Sequence, residues 1–206
     1  MQPLVSVSGP AAPLMAANVD TDVIIRIERL SDLERDALGP YAFEAWRYDD
    51  EGRERPDFVL NQAPWRGAPI LLAGPNFGCG SSREGAVWAL NAMGVRVVIA
   101  PSFGGIFRNN CYQNATLPLV LPAETVEAFA EIARTQPEAP FGVDLERQVV
   151  RPPNGAPVPI EIDALRRRAL MKGVDDLGIT AEYAPRIAEY QARDRTARPW
   201  VWLEET

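Results

Sequence analysis

The residues of this chain that could do chemistry are concentrated in one stretch, Asn76 to Gly85, NFGCGSSREG. Gly78 and Gly80 permit close backbone approach, Ser81 and Ser82 offer two hydroxyls, and Arg83 offers a planar fork suited to a carboxylate or phosphate. If a helix opens here, its free N–H groups and the positive end of its dipole favour an anion. The same surroundings favour a serine alkoxide, so a serine can serve as a base although its acidity in water argues against it. The plainer reading is that Ser81 and Glu84 form a capping box, S-x-x-E ahead of an apolar helix. Cys79 beside them reads as a small packing residue rather than a ligand.

The rest of the composition narrows that chemistry. The chain contains no histidine, which removes Ser-His-Asp and Cys-His catalysis, imidazole proton shuttles and histidine-ligated zinc together. G-C-G-S-S-R does not fit the nucleophile elbow G-x-S-x-G, and the spacing of Gly78, Gly80 and Arg83 breaks the dinucleotide pattern G-x-G-x-x-G. Two cysteines, Cys79 and Cys111, are too few for a zinc or iron–sulfur centre, so no metal ligands are expected in this chain. Lys and Arg number 21 against 28 Asp and Glu, a net charge of −7, which makes nucleic acid a poor partner. No apolar stretch reaches the roughly 18 residues of a membrane span. No basic segment precedes Arg26, so a signal peptide is not expected either; the expected compartment is the cytoplasm, with both thiols reduced.

The elements that must position the stretch follow from periodicity. With 206 residues, 47% hydrophobic and 24% charged, the chain is expected to be one α/β domain with a mixed sheet flanked by helices. Pro69 to Ala73 is a buried strand by its continuous apolar run, and Gly74 to Gly80 is the loop after it. A helix is expected from Ser82 to Met93, stopped by Gly94, with Arg96 to Ala100 as the next strand. That places the serines and Arg83 at the carboxyl end of a strand, where open α/β sheets bind ligands. Leu4 to Val7 reads as a short strand, and Val23 to Ile27 is an apolar run after the polar cluster Asn18 to Asp22. Ser31 with Glu34 fits a capping box for a helix closed by Gly39, and Tyr48 to Gly67 reads as a surface connection. Further on, a short helix is expected within Pro101 to Asn110, and a strand at Leu117 to Leu121, with Pro118 suggesting an edge. The helix Glu124 to Arg134 turns Val126, Phe129, Ala130 and Ala133 inward. A β-hairpin is expected around PPNGAP, then a helix capped by Asp163 and closed near Gly173, and a last helix from Pro185 to about Asp194.

Taken together, NFGCGSSRE, NVDTDVII (Asn18 to Ile25), FEAWRY (Phe43 to Tyr48), PDFVLN (Pro56 to Asn61), VVIAPSF (Val97 to Phe103) and IDALRRRALMKGVDDLGIT (Ile162 to Thr180) give the chain an end-to-end likeness. It resembles the small-subunit family of the 3-isopropylmalate dehydratases, the swivelling domain of the aconitase superfamily. The resemblance implies one swivelling β/β/α domain over 1–206, with a core of about 1–135 and a β-hairpin and C-terminal helical extension of about 136–206. It implies a heteromeric hydro-lyase of leucine biosynthesis that isomerises 2-isopropylmalate to 3-isopropylmalate through isopropylmaleate. The partner is then a large subunit carrying a 4Fe-4S cluster, and no cofactor is held by this chain. Ser81 maps to the base, Ser82, Arg83 and Gly80 to positions that hold the carboxylate of a small dicarboxylic 2-hydroxy acid, and Arg26, Arg29 and Leu30 to the loop facing the C2 substituent.

Three positions depart from the family pattern: Gly85 in GSSREGA, Arg26 in DTDVIIR and Arg168 in LRRR. They keep open a related substrate, (R)-2-methylmalate or another 2-substituted malate, or a non-catalytic paralogue acting as an anion-binding or assembly module. Asp20 and Asp22 read as local turn and cap residues beside their place in the family signature. Arg166 to Arg168 read as a solvated helix face or a contact for an acidic substrate or partner. Trp200 and Trp202 suit either the core or an interface.

Overall fold

The computed structural model describes residues 1–80 and 83–202; Ser81 and Ser82 lie outside the described residues. Two four-stranded sheets organise the fold. One is parallel, in the order β2 (Ala11–Leu14), β3 (Ile70–Ala73), β4 (Val97–Ala100) and β5 (Leu117–Val120). The other is antiparallel and joins β1 (Ser6–Gly9) to β6 (Phe141–Asp144), β7 (Val149–Arg151) and β8 (Val158–Pro159). Both kinds of pairing expected of a mixed α/β architecture are therefore present, divided between two sheets.

The parallel sheet is buried on both faces, which is why β3 and β4 read as unbroken apolar runs. Side chains alternate across it. Leu71, Ala73, Val98 and Ala100 face a core completed by α4 (Gly85–Ala92), by Phe107 and Cys111 of α5 (Gly105–Gln113), and by Phe43 and Leu60. Ile70, Leu72, Val97 and Ile99 face a second core made by α6 (Ala123–Thr135), the inner face of the antiparallel sheet, and Leu170 of α7 (Ala164–Lys172). The stripe Val126, Phe129, Ala130 and Ala133 is buried as the periodicity required, and β5 is an edge strand, as Pro118 indicated. Asp163 caps α7 by accepting from the backbone of Leu165 and Arg166 at 3.1 and 3.0 Å. Gly173 ends it with φ of 68°. Two helices follow, α8 (Asp176–Ala181) and α9 (Ala184–Ala197).

Several local expectations give way to tertiary packing. Ser31 and Glu34 do not make a capping box. Ser31 lies inside the short helix α2 (Ile27–Asp32), its hydroxyl directed at the Ile27 carbonyl at 3.5 Å, and Glu34 makes no side-chain cap. The segment instead runs on as short 3₁₀ turns against α4, with Arg35 stacked over the Trp88 ring at 3.9 Å. The Val23 to Ile27 run splits between a single-turn helix, α1 (Thr21–Ile24), and α2. The helix expected from Ser82 begins at Gly85, with Arg83 and Glu84 still in the approach to it. The hairpin expected around PPNGAP is formed by β7 and β8, and ahead of it β6 pairs with β7 across a turn at Leu145 to Gln148. Strand β2 had no clear signal, since AAPL is short, contains Pro13 and lies at a sheet edge.

The motifs FEAWRY and PDFVLN are structural and form one unit. Phe43, Trp46 and Phe58 pack ring against ring at 6.0 to 6.3 Å. Arg47, in α3 (Glu44–Arg47), is buried. It donates to Asn61 Oδ1 at 3.0 Å and to the Gly39 and Pro40 carbonyls at 3.2 Å each. Asn61 returns a bond to the Arg47 carbonyl at 2.7 Å. A buried guanidinium is tolerable only when its donors are matched in this way.

Candidate active site

The carboxyl ends of β2, β3 and β4 each continue into a loop, and the three loops are stitched together by backbone hydrogen bonds. Gly78 and Cys79 donate to the Val19 carbonyl at 2.7 and 3.2 Å, and Thr21 donates back to Cys79 at 3.0 Å. On the other side Phe77 donates to Ser102 at 3.1 Å and Gly104 to Phe77 at 2.9 Å. Asn76 adds side-chain ties to both flanks, its backbone N–H to Ser102 Oγ at 2.8 Å and its amide to Asn18 at 2.9 Å. The glycine-rich loop is thus the middle strand-like segment of a small extension of the sheet. That gives it a fixed path up to Gly80, the residue before Ser81.

Gly78 makes this path sterically feasible. Its φ is +69°, and a Cβ there would sit 2.2 Å from the Phe107 ring. Gly80, at φ +86°, passes 3.2 Å, measured from an added Cβ, from the Asp20 side chain. Asp20 itself caps α1, with Oδ1 accepting from the Val23 backbone at 2.8 Å. Its plainer role as a cap is therefore occupied, and it also holds the chain against Gly80.

Beyond the loop, Arg83 lies against the amino end of α4 and pairs with Asp22. The Arg83 side chain is 21% exposed and that of Asp22 is 56% exposed. The Asp22 carboxylate serves as counter-ion to this largely enclosed guanidinium. Asp22 was not among the site residues expected from the sequence. Its signal was the DTD spacing: the first aspartate caps the turn and the second projects across to the next loop. Glu84 is turned away toward α5, where Asn114 donates to it at 2.7 Å.

The segment Arg26 to Leu30 divides. Arg29 donates both arms of its fork to Glu44, at 3.1 and 2.5 Å, and stacks on Tyr41 at 4.3 Å. Arg26 borders a surface cleft of about 550 Å³ with Pro40, Tyr41, Glu44 and Tyr48. Leu30 points the other way and rests on Gly85, the first residue of α4. Among the described residues, Gly80 and Arg83 are brought together with Asp20 and Asp22, and Leu30 joins them through Gly85. Arg26 and Arg29 stand on the Glu44 side.

The hydrogen bonds from Arg29, more than the Coulombic attraction, hold the Glu44 carboxyl below its ordinary value against the opposing effect of burial. A depressed folded value stabilises the fold above the ordinary carboxylate range, near about 4.3. That contribution is lost as pH falls through the lower folded value. Glu44→Gln should therefore unfold with a smaller loss of Tm between about pH 5 and pH 3 than the parent chain. An unchanged pH slope in thermal melts would mean that the pair contributes no net stability.

Most of the remaining candidate groups are buried or have internal partners. Cys111 is fully buried in the core, and burial pushes its thiol well above the ordinary value. Arg166 pairs with Asp176 at 3.0 Å, Arg167 donates to the Leu145 carbonyl at 3.4 Å, and Arg168 pairs with Glu182, which Lys172 also meets at 2.6 Å. These ties fasten α7 to α8 and to the antiparallel sheet. Trp200 is 75% exposed and so is not core, while Trp202 donates to Asp194 at 3.0 Å. Among the described residues no group of three or more His, Cys, Asp or Glu side chains is placed to hold a metal ion. With one of its two thiols sealed in the core, the chain does not fit an iron–sulfur cluster. No helix among the described residues is long and apolar enough to cross a membrane.

Comparison with known proteins agrees with this geometry. Residues 1–124 match the family model of the aconitase C-terminal domain. The 3-isopropylmalate dehydratase small subunit of Rhodospirillum centenum is 50% identical over 201 residues, covering 98% of this chain and 99% of the relative. The protein of the same name from a Jannaschia species is 47% identical over 201 residues, covering 98% of this chain and all of its own. A crystal structure of 3-isopropylmalate dehydratase from Methanocaldococcus jannaschii superposes with a TM-score of 0.61 at 24% identity, over 92% of this chain and 99% of that one, which supports the fold. Two sheets with flanking helices, a glycine-rich loop fixed between its neighbours, and near-complete alignment with such relatives lead to one conclusion: the chain belongs to the 3-isopropylmalate dehydratase small-subunit family, built on the aconitase C-terminal domain.

Proposed function

We propose that this chain is the small subunit of a cytoplasmic hydro-lyase that isomerises 2-isopropylmalate to 3-isopropylmalate in leucine biosynthesis, working with a large subunit that carries a 4Fe-4S cluster. The observation that carries the reading is the convergence of the three loops, which fixes the chain on both sides of Ser81: Gly80 against Asp20, and Arg83 against Asp22 at the start of α4. In this reading residues 1–206 act as one swivelling unit, with a core of about 1–135 and an extension of about 136–206. Support for a single unit comes from β1, which pairs with β6, so the first and last thirds share a sheet.

Ser81 takes the carbon-bound proton of the substrate, helped by the cationic Arg83 two residues on. Arg83 grips a carboxylate through its fork, exchanging Asp22 for the substrate, and Ser82 and the Gly80 backbone complete the grip. Loss of the proton and of the hydroxyl from adjacent carbons gives isopropylmaleate, and readdition of water in the opposite sense gives the isomer. The cluster is assigned to the large subunit on the family resemblance, and when bound it would supply the Lewis acid for departure of the hydroxyl. Within the Arg26 to Leu30 segment Leu30, on the Gly85 side, faces the C2 substituent, and the Arg29–Glu44 pair anchors the segment from the other side.

The test is reconstitution with a cluster-bearing large subunit, assayed on 2-isopropylmalate and (R)-2-methylmalate. The complex should turn over 2-isopropylmalate with the higher kcat/KM, and the chain alone should be colourless, free of stoichiometric iron and inactive. A 4Fe-4S cluster in the purified chain, or assembly without turnover of either malate, would overturn the assignment.

A further inference from the structure

We infer that Gly85 sets the position of Leu30 and, through it, the room left for the substituent at C2; the inference rests on the function proposed above. Gly85 is buried and opens α4, and it is not among the glycines with positive φ. The backbone there suits any residue, and alanine is the better helix former. What the glycine supplies is space. A Cβ at position 85 would fall 2.4 and 2.6 Å from the two methyl carbons of Leu30 and 3.0 Å from its Cγ. Leu30 is itself partly buried against the core that includes Val87 and Leu90 of α4. It therefore sits directly on the backbone of the helix that follows Arg83, with its inner flank closed.

An added methyl group leaves Leu30 one way to move, outward from α4. The colliding atoms are the end of a flexible side chain, so the helix persists and Leu30 yields. Under the proposed function Leu30 borders the C2 substituent, so its displacement takes volume from the larger alkyl group first. Gly85 is thus a positioning residue that touches no substrate atom. It links the segment that selects the side chain to the loop that grips the diacid.

A double-mutant cycle on Gly85→Ala and Leu30→Ala tests this in the reconstituted complex, with the ratio of kcat/KM for 2-isopropylmalate over (R)-2-methylmalate as the readout. Gly85→Ala should lower that ratio by about tenfold, the lower end of what one methylene is worth in a pocket, with Tm and co-elution with the large subunit retained. In the Leu30→Ala background the same substitution should leave the ratio unchanged, because its collision partner is gone. An unchanged ratio in Gly85→Ala, or an equal shift in both backgrounds, overturns the inference while leaving the function standing. Methyl NMR of the full chain alone separates the two readings: the Leu30 methyl resonances should move in Gly85→Ala, and if they do not, Leu30 is not seated on Gly85. Absence of turnover by the unaltered complex overturns the function, and with it the role of Gly85 in selectivity.

Discussion

Ser81→Ala is expected to lose about 10²-fold to 10⁴-fold in kcat/KM in the reconstituted complex, the range for removal of a general base, while the protein folds and assembles. The two effects separate because their magnitudes differ. Because α4 begins at Gly85 with Glu84 at its N-cap, removing the hydroxyl at position 81 should cost no more than a lost helix cap, about 0.5–2 kcal/mol. At about 2–4 °C per kcal/mol for a chain of this length, Tm falls by no more than about 8 °C. Measurements of kcat/KM, thermal midpoint and co-elution on the same preparation therefore separate loss of the base from loss of stability. Activity within about threefold of the parent, far short of a general base's contribution, would show that Ser81 is not the base and move the search for it to the partner subunit.

Gly78→Ala should be strongly damaging although it does not touch the reacting groups. A left-handed backbone costs a residue with a Cβ about 1–2 kcal/mol, and forcing a methyl into a packed interior adds about 1–3 kcal/mol. Phe107 cannot swing aside to make room. Its ring is buried, edge-on to Phe77 at 5.5 Å and stacked with Phe103 at 6.3 Å. The loop must yield instead, straining its hydrogen bonds to Val19, Ser102 and Gly104 and displacing Gly80. A misplacement of about 1 Å at a catalytic group can cost about 10²-fold. The variant should therefore show a Tm lower by about 5–20 °C together with a loss in kcat of about that order. Parent-like stability and turnover would show that the loop accommodates a Cβ and that its path is not fixed by Phe107.

The buried elements of this protein were legible in the sequence because each carries its own local cause. ILLA and VVIA are apolar without interruption because the parallel sheet is covered on both faces. The α6 stripe follows the helical period, and Asp163 and Gly173 mark the two ends of α7 through side-chain and backbone chemistry confined to a few residues. The candidate site could be singled out for the same reason: glycines, serines and an arginine between a strand and a helix have the residue pattern of an anion-binding loop. The absence of histidine limited its chemistry from composition alone.

Other features depended on groups far apart in the chain. Asp22 and Arg83 are 61 positions apart, the difference 83 − 22, and only the convergence of loops after β2 and β3 pairs them. Ser31 and Glu34 have the spacing of a capping box, yet packing against α4, with Arg35 over Trp88, competes with that local motif and prevails. Arg29 carries the residue type of a substrate ligand, but a carboxylate on α3 takes its fork. Gly85 departs from the family pattern in a way no local rule explains, and the methyl groups of Leu30 that occupy the space beside it are brought there by tertiary packing. Propensity, caps and hydrophobic period act over a few residues and are written in sequence order; ion-pair partners and steric fit depend on which loops the sheet carries to the same edge, and packing decides them.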